Sequence, residues 1–413
     1  MANNAVPLHL TATTAFGLES LVKDEVRALG YAIEGVENGR VHFVGDAAAI
    51  PRANLWLRCA DRLLWDIGRF EATTFDALFE GTRALPWETI IPADGSFPAA
   101  KITSVKSRLF SKSDGQRIVK KAIASRLGAH YRRDWLPEDG AAYPIHIQIL
   151  KDQVTLSLDT SGSGLNKRGY RAHAGGAPLK ETMAAALVKL SRWQPERFFL
   201  DPLCGSGTIV IEAAMIGRNI APGMRRHFVS EAWPAIGPKH WLAARTEAER
   251  AVNGKSFRVL GSDIDGRVLK QARLNARAAG VADLAAFQKL PFQKVATKRR
   301  YGVIVTNPPY GERLLDTAGV KKLYREMGAA FESLPDWSYF ILTACPDFEA
   351  AFGRRATKNR KLYNSMLKTY CYQYYGPLPP RRNRREAIAG GTGSMSGGKS
   401  HEAKTASGAN APK

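Results

Sequence analysis

Cysteine is scarce in this chain of 413 residues, and its four copies lie far apart. No Cys-x-x-Cys pair occurs among them, so the sequence shows neither a disulfide framework nor a zinc cluster. We therefore expect no metal. The scattered thiols fit a reducing compartment, and we expect the protein to act in the cytoplasm.

Long hydrophobic runs are absent as well. No stretch approaches the ~18 consecutive apolar residues that a membrane-spanning helix needs. The opening, MANNAVPLHL, lacks a charged segment followed by an apolar one. We expect neither secretion nor membrane contact. The apolar fraction of 45% still fills ordinary cores, and the length of 413 residues predicts two or three domains.

Acidic residues are the third shortage. The chain has 38 Asp and Glu against 60 Lys and Arg, which gives a net charge of +22. Residues 101–133 contain ten basic residues and one acid, and residues 354–368 contain six basic residues and no acid. Such clusters predict a polyanionic partner, and nucleic acid explains them better than a solvated surface does.

Periodicity predicts two small α+β modules in the first part of the chain. Over residues 5–73 the order strand, helix, strand, strand, helix, strand predicts a ferredoxin-like module. Residues 74–161 contain a strand, a basic helix at 114–127 and a hairpin formed by YPIHIQIL and QVTLSLDTS. The phosphate contacts expected in and near the basic helix are Lys120, Lys121, Arg126 and Arg132.

A third region, residues 162–378, begins with the glycine-rich joint SGSGLNKRGYRAHAGG. Strand and helix patterns then alternate, which predicts an α/β fold with a doubly wound, Rossmann-like parallel sheet. Residues 379–413 are poor in bulky apolar side chains. We predict a disordered basic tail there.

The motif DPLCGSGT follows an apolar run and precedes a helical pattern. Gly205 and Gly207 would permit a tight turn at the end of a strand and let a ligand approach the main chain closely. A tight turn without a ligand would give the same pattern. Cys204 lies within this turn, where a small packing residue explains it better than a nucleophile.

The strand in RVLGSDID ends at Asp263, where nucleotide-binding sheets present a carboxylate to ribose hydroxyls. Asp263 follows Asp201 by 62 positions, whereas a compact dinucleotide-binding unit spaces such residues by about 20. This spacing argues against a plain NAD domain and predicts an insertion between the two motifs. Asp265 is the better candidate for capping the next helix.

A third strand pattern ends in Asn307, Pro308, Pro309 and Tyr310. Two consecutive prolines cannot continue a central strand, so the chain is rigid there and its carbonyls are free. The oxygen of Asn307 and the carbonyl of Pro308 could accept the two hydrogens of an exocyclic amino group, while Tyr310 stacks on the ring. A proline-stiffened loop without a substrate is the alternative.

Together, DPLCGSGT, GSDID and TNPPYGERL resemble the class I S-adenosylmethionine methyltransferases that modify amino groups. The segments GLESLVKDEVRALG, LSLDTSGSGLNKRGYR, APLKETMAAAL and IEAAMIGRNIAPG narrow the resemblance to the THUMP-domain RNA guanine-N2 methyltransferases, over roughly residues 6–378. The resemblance implies a THUMP RNA-binding module at 74–161. It also implies S-adenosylmethionine as cofactor and methyl transfer to the N2 amino group of a guanine in structured RNA, with 23S rRNA as the expected substrate.

The resemblance also implies roles for the site residues. Asp201, Gly205 and Gly207 would line the methionine end of the cofactor, and Asp263 would bind its ribose. The family usually has an acid near the adenine amino group, whereas this sequence has Pro291 at the corresponding place. The expected cofactor-binding residues are Asp201, Cys204, Gly205, Ser206, Gly207, Thr208, Asp263 and Ile264, and the expected catalytic residues are Asn307, Pro308, Pro309 and Tyr310.

Four alternative functions stay open at this point. The substrate could be tRNA rather than rRNA, or the chain could be a non-catalytic RNA-binding factor of ribosome assembly. An adenine-N6 DNA methylase would use the same Asn-Pro-Pro-Tyr arrangement to bind the amino group of its base. Transfer to a protein glutamine would leave the charge of +22 unexplained.

Overall fold

The computed structural model describes residues 7–171, 179–310, 317–364 and 367–380. Residues 1–377 form one compact unit, and residues 378–413 are assigned to a second. The tail predicted at 379–413 lies almost wholly outside the described residues. Within the described part, no helix combines the length and the apolar character that crossing a membrane requires.

The first part of the chain forms a seven-stranded sheet with helices on one face. Its elements are β1 (Leu8–Thr14), α1 (Glu19–Ala28), β2 (Ala32–Glu37), β3 (Arg40–Gly45), α2 (Ala49–Trp56), β4 (Ala60–Glu71), α3 (Phe75–Arg83), β5 (Ala99–Val105), α4 (Lys112–Tyr131), β6 (Ile145–Leu150) and β7 (Gln153–Asp159). The predicted order of the first six elements is confirmed. Only β5 and β6 run parallel.

The two predicted modules share this sheet. The strand order is β2-β3-β1-β4-β7-β6-β5, so β4 of the first module pairs with β7 of the second. Leu10, Ala12 and Leu63 alternate toward the core, where they are fully buried. The opposite face carries polar side chains, because residues of a strand alternate between the two faces.

The second part forms another seven-stranded sheet. Its elements are α5 (Glu181–Leu190), β8 (Phe199–Asp201), α6 (Thr208–Gly217), α7 (Pro238–Arg250), β9 (Val259–Asp263), α8 (Gly266–Ala279), β10 (Ala285–Lys289), β11 (Val303–Thr306), α9 (Thr317–Glu332), β12 (Ser338–Thr343), α10 (Phe348–Phe352), β13 (Lys358–Asn364) and β14 (Leu367–Tyr374). The order is β10-β9-β8-β11-β12-β14-β13. Strands β8 to β12 are parallel, and β14 is antiparallel to both of its neighbours.

This strand order places a crevice at the carboxyl ends of β8 and β11. The chain leaves β8 toward β9 on one side, whereas β11 lies on the other side, and ligands of open α/β sheets bind at such a reversal. The predicted insertion is confirmed, since α7 lies between α6 and β9. The side chain of Asp265 caps α8 by accepting the backbone N–H of Arg267, as predicted.

The insertion and the joint connect the two sheets. Arg52 of α2 forms a bidentate ion pair with Glu247 of α7, with N–O distances of 2.8 and 2.9 Å. Arg226, in the insertion, donates to the backbone carbonyls of residues 161, 163, 164 and 167 in the joint. The described part of the joint, residues 161–171, is therefore a fixed part of the fold.

Candidate active site

The carboxyl ends of β8 and β11 are joined by a hydrogen bond between Asp201 and Thr306. The hydroxyl of Thr306 donates to Asp201 Oδ1 at 2.7 Å, and the backbone N–H of Leu203 donates to the same oxygen at 3.2 Å. Asp201 is 2% exposed, and burial raises its pKa to about 7. A carboxyl group that holds its proton near neutral pH therefore lies below the crevice.

The glycine turn lies between β8 and α6. Gly207 has a φ of +82°, and an added Cβ there would lie 2.8 Å from the ring of Phe287, so a side chain is excluded by conformation and by packing. Gly205 has a φ of +50°, and its missing Cβ faces open space with no atom within 4 Å. Its backbone is therefore accessible to a ligand.

Asp263, at the end of β9, accepts hydrogen bonds from the backbone that follows β8 and from the backbone that follows β9. Its Oδ2 accepts the N–H of Gly205 at 3.0 Å, and its Oδ1 accepts the N–H of Asp265 at 3.0 Å. Each carboxylate oxygen keeps a further lone pair for a ligand hydroxyl. Ile264 follows and is 65% exposed, which is high for an apolar side chain. Pro291 lies just beyond β10 and caps a short 3-10 helix.

Cys204, Ser206 and Thr208 contribute to the turn mainly through packing and backbone contacts. Cys204 is buried, and burial raises the pKa of its thiol, which opposes a nucleophilic role. The Ser206 carbonyl accepts a hydrogen bond from the side-chain amide of Asn275 at 3.1 Å. The Thr208 hydroxyl accepts one from the guanidinium of Arg171 at 2.5 Å. Sequence reasoning missed Asn275 and Arg171 as supports of the turn, although Arg171 lies in the joint motif.

The Asn-Pro-Pro-Tyr segment directly follows β11. The side-chain oxygen of Asn307 is buried and has no hydrogen-bond partner among the described residues. The hydroxyl of Tyr310 accepts the side-chain amide of Asn364 at 3.4 Å, and burial raises the pKa of Tyr310. The hydroxyl of Tyr324 donates to the carbonyl of Pro309 at 3.4 Å, which holds the segment against α9. An oriented acceptor and an aromatic ring thus lie next to the crevice.

The structure brings the three predicted motifs together. An open glycine turn, the carboxylate of Asp263 and the exposed Ile264 are groups that could hold the amino-acid part, the ribose and the adenine of S-adenosylmethionine in turn. A parallel sheet of this order, with this turn after β8 and Asn-Pro-Pro-Tyr after β11, defines a class I S-adenosylmethionine-dependent methyltransferase. The family follows from comparison with known proteins.

The chain matches three family descriptions in succession. These are an RlmL ferredoxin-like domain over residues 9–64, a THUMP domain over residues 72–159 and an RMKL-like methyltransferase domain over residues 168–373. A Bacillus subtilis (strain 168) protein named "Putative RNA methyltransferase YpsC" is 51% identical over 380 residues, which cover 91% of this chain and 98% of that protein. The chain belongs to this family of RMKL-like methyltransferases with ferredoxin-like and THUMP domains.

Two solved structures resemble the whole arrangement. A structure from Listeria monocytogenes str. 4b F2365, described as "a predicted N6-adenine-specific DNA methylase", is 53% identical with a TM-score of 0.85, covering 90% of this chain and 97% of that chain. SMU.472, described as "a putative methyltransferase complexed with SAH", is 46% identical with a TM-score of 0.86, covering 91% and 99%. S-adenosylmethionine is the methyl donor of this chain.

The structure also alters the expected distribution of free positive charge on the basic helix. Lys120 forms an ion pair with Glu138 at 3.0 Å, and Arg126 forms one with Glu88 at 2.5 Å. The hydrogen bond from Arg126 lowers the pKa of Glu88 to about 2. Two of the four expected phosphate contacts are therefore already paired with acids.

A different basic cluster lies on the polar face of the first sheet. Arg40 of β3, Arg62 of β4 and Lys101 of β5 surround a cleft beside His146. Burial, together with these three cations, lowers the pKa of His146 to about 3, so the imidazole stays neutral. Sequence reasoning missed this cluster because its members come from three strands of two modules.

Proposed function

We propose that this protein transfers a methyl group from S-adenosylmethionine to the exocyclic N2 amino group of a guanine in RNA, with 23S rRNA as the expected substrate. The observation that carries the proposal is the buried side-chain oxygen of Asn307 at the carboxyl end of β11, which has no hydrogen-bond partner among the residues that the structure describes. An unpaired buried acceptor is costly unless a ligand satisfies it, and an amino group on a planar base is a donor of the required kind.

The proposed chemistry relies on positioning. Asn307 Oδ1 and the Pro308 carbonyl accept the two hydrogens of the amino group, while Tyr310 stacks on the base. Accepting both hydrogens directs the nitrogen lone pair away from the ring. S-adenosylmethionine would supply a methyl group on a sulfonium sulfur, which leaves as a neutral thioether, and the methylated nitrogen then releases one proton to solvent. Orientation of the bound reactants and electrostatic stabilisation therefore account for most of the proposed rate enhancement.

The proposed cofactor contacts are those expected from the sequence. Asp263 accepts the ribose hydroxyls with its remaining lone pairs, and the backbone at Gly205 approaches the amino-acid part of the cofactor. Asp201 is buried and hydrogen-bonded to Thr306, so its contribution is to fix the ends of β8 and β11 beneath the cofactor.

Three observations support RNA as the substrate. The chain contains a THUMP domain, its Bacillus subtilis relative is named as an RNA methyltransferase, and its net charge is +22. The name of the Listeria monocytogenes protein favours adenine N6 of DNA as the second candidate. The same acceptor pair serves either amino group, so the base must be identified by experiment.

The test maps methylated nucleosides in total RNA and DNA from cells with and without the gene. We expect one N2-methylguanosine in RNA to disappear on deletion and to return on complementation. Purified protein with radiolabelled S-adenosylmethionine should then label RNA from the deletion strain and leave duplex DNA unlabelled. Loss of N6-methyladenine from DNA would favour the second candidate, and an unchanged set of nucleosides in both would contradict the proposal.

A further inference from the structure

One face of the β13–β14 hairpin carries alternating lysines and tyrosines. Lys361 pairs with Tyr370 across the two strands, and Tyr363 pairs with Lys368, so all four residues lie on the same face. The ammonium of Lys361 lies 5.4 Å from the ring centre of Tyr363, and that of Lys368 lies 5.3 Å from Tyr370. We call these four residues the Lys-Tyr face.

The positive charge of the Lys-Tyr face is not neutralised by acids. Residues 354–368 contain no Asp or Glu, and neither Lys361 nor Lys368 has an ion-pair partner in the described part of the chain. Other cations of the same run have structural contacts. Arg354 stacks on Tyr339 at 5.4 Å and also lies over a second tyrosine ring. The Lys-Tyr face therefore combines two charges that no acid neutralises with two aromatic rings.

The first module adds a third aromatic ring. Phe16, in the loop between β1 and α1, is 49% exposed and contacts Tyr363 edge to face, with ring centres 5.8 Å apart. Arg360 of β13 holds this loop in place, because its guanidinium donates to the Gly17 carbonyl at 2.8 Å and to the Ser20 hydroxyl at 2.7 Å. Phe16 therefore has a fixed position beside the hairpin.

The turn end of the β13–β14 hairpin lies next to the Asn-Pro-Pro-Tyr segment. Asn364, the last residue of β13, donates to the hydroxyl of Tyr310. In the sheet, Tyr370 of β14 pairs with Thr343 of β12. Thr343 lies two residues beyond Ile341, and Ile341 pairs with Thr306 at the end of β11. Tyr370 is thus about level with the residues that follow β11, at the edge of the sheet where the crevice opens.

We infer that Phe16 and the Lys-Tyr face bind the unpaired nucleotides that flank the target base in the RNA substrate. The inference rests on the proposed function, since a base must leave its stack to reach Asn307, and its neighbours then lose a stacking partner. Aromatic rings stack on such bases whatever their identity, and lysines placed between the rings neutralise the adjoining phosphates. The first module thereby forms part of the substrate site.

The experiment uses the full-length protein and an RNA transcript that contains the mapped target. The test variant is Phe16→Leu with Tyr363→Leu, which keeps apolar volume and removes two rings. The matched control is Phe110→Leu with Trp135→Leu, since both side chains are highly exposed elsewhere. We expect the test variant to raise the RNA concentration for half-maximal single-turnover methylation about 10-fold. Its rate at saturating RNA and its S-adenosylmethionine affinity should stay unchanged, as should all three values in the control.

A second arm replaces the nucleotides beside the target with abasic residues. If the rings stack on these bases, abasic RNA should weaken binding to the native protein about as much as the test variant does. The variant should then discriminate little between intact and abasic RNA. If the variant loses as much affinity from the abasic substitution as the native protein does, the two fold-losses are independent and multiply. That result would overturn the inference. A native protein that methylates no RNA would instead refute the proposed function, so the two failures are distinguishable.

A third arm tests the charge. Lys361→Gln with Lys368→Gln should reduce the salt dependence of binding to single-stranded RNA, lowering the log–log slope by about 1.4 for two phosphates. Lys358→Gln is the matched control, because it lies on the same strand but on the opposite face. A slope unchanged in the double variant would exclude the lysines from the RNA site.

Discussion

Asn307 and Asp201 occupy the ends of adjacent strands, and their polar groups have opposite surroundings. The Asn307 oxygen is buried and has no partner within the described part of the chain, whereas the buried Asp201 Oδ1 accepts two hydrogen bonds. A ligand that donates a hydrogen bond relieves the cost of an unpartnered buried acceptor, and protonation relieves the cost of burying a charged carboxylate. The first residue should therefore govern turnover, and the second should make stability depend on pH.

Asn307→Ala should lower single-turnover methylation of RNA by at least ~100-fold, while RNA and cofactor affinities change less than about tenfold. The proposed hydrogen bond from the substrate amino group to Asn307 strengthens as the amino nitrogen becomes pyramidal. Its loss therefore affects the transition state more than the bound ground state. Asn359→Ala, an exposed position on β13, serves as the control. Near-normal turnover in Asn307→Ala would refute the amino-group mechanism.

Asp201→Asn should stabilise the folded protein at alkaline pH. The unfolded carboxyl loses its proton near pH 4, whereas the folded one keeps it until about pH 7. Between these values the folded state binds more protons, so the stability of the native protein falls as pH rises and levels off above about 7. The asparagine variant lacks this loss, which amounts to at most roughly 4 kcal/mol.

The measurement for this variant is the thermal midpoint of full-length native and variant protein from pH 5 to 8. The difference, variant minus native, should grow with pH across this interval. A constant difference would mean that Asp201 is ionised throughout, and the assigned pKa would then be wrong.

At the scale of elements, arginine side chains hold the described part of the joint between the two sheets. A run rich in Gly and Ser is flexible by composition, yet Arg226 donates to four of its carbonyls. The buried pair of Arg168 and Glu212, with an N–O distance of 3.4 Å, connects the same joint to α6. The described part of the joint therefore connects the first sheet to α6, the helix that follows the glycine turn.

Arg226→Met should destabilise the protein by roughly 2–4 kcal/mol, since four backbone carbonyls lose their donor together. Residues 161–171 should also become accessible to proteases. Arg225→Met, at the adjacent exposed position, is the matched control and should leave both the thermal midpoint and the cleavage rate unchanged. If Arg226→Met resists cleavage as well as the native protein does, other contacts must hold the joint.

At the scale of the whole molecule, the first sheet brings together cations that no single module contains. Arg40 and Arg62 come from the first module and Lys101 from the second, and they meet because β4 pairs with β7. Arg62 has a carboxylate partner, whereas Arg40 and Lys101 have no ion-pair partner in the described part of the chain. Lys120 and Arg126 of α4 both have carboxylate partners. Phosphate binding should therefore depend more on the sheet face than on the helix.

Arg40→Gln with Lys101→Gln should lower the log–log salt slope of binding to structured RNA by about 1.4 to 1.8. Lys120→Gln with Arg126→Gln removes the same formal charge from paired groups and should change the slope less. Fluorescence anisotropy of full-length protein across a series of salt concentrations measures both. The reverse ranking would locate the RNA backbone on α4.

Local patterns in the sequence were sufficient to predict most elements and the three motifs of the site. A glycine turn after a strand, a carboxylate at the end of the next strand and a double proline depend on a few consecutive residues. The order of β1 to β4 also follows from local periodicity. The meeting of these motifs follows from a parallel sheet, because the carboxyl ends of its strands lie at one edge.

Only the tertiary structure decided which charges are free and which rings are neighbours. Arg126 and Glu88 are 38 residues apart, and Phe16 meets Tyr363 across most of the chain. The β13–β14 hairpin, absent from the sequence prediction, turns a basic run into a surface with two distinct faces. Such contacts depend on how strands pair over long separations, and local sequence carries no record of that pairing because many partners satisfy the same alternation.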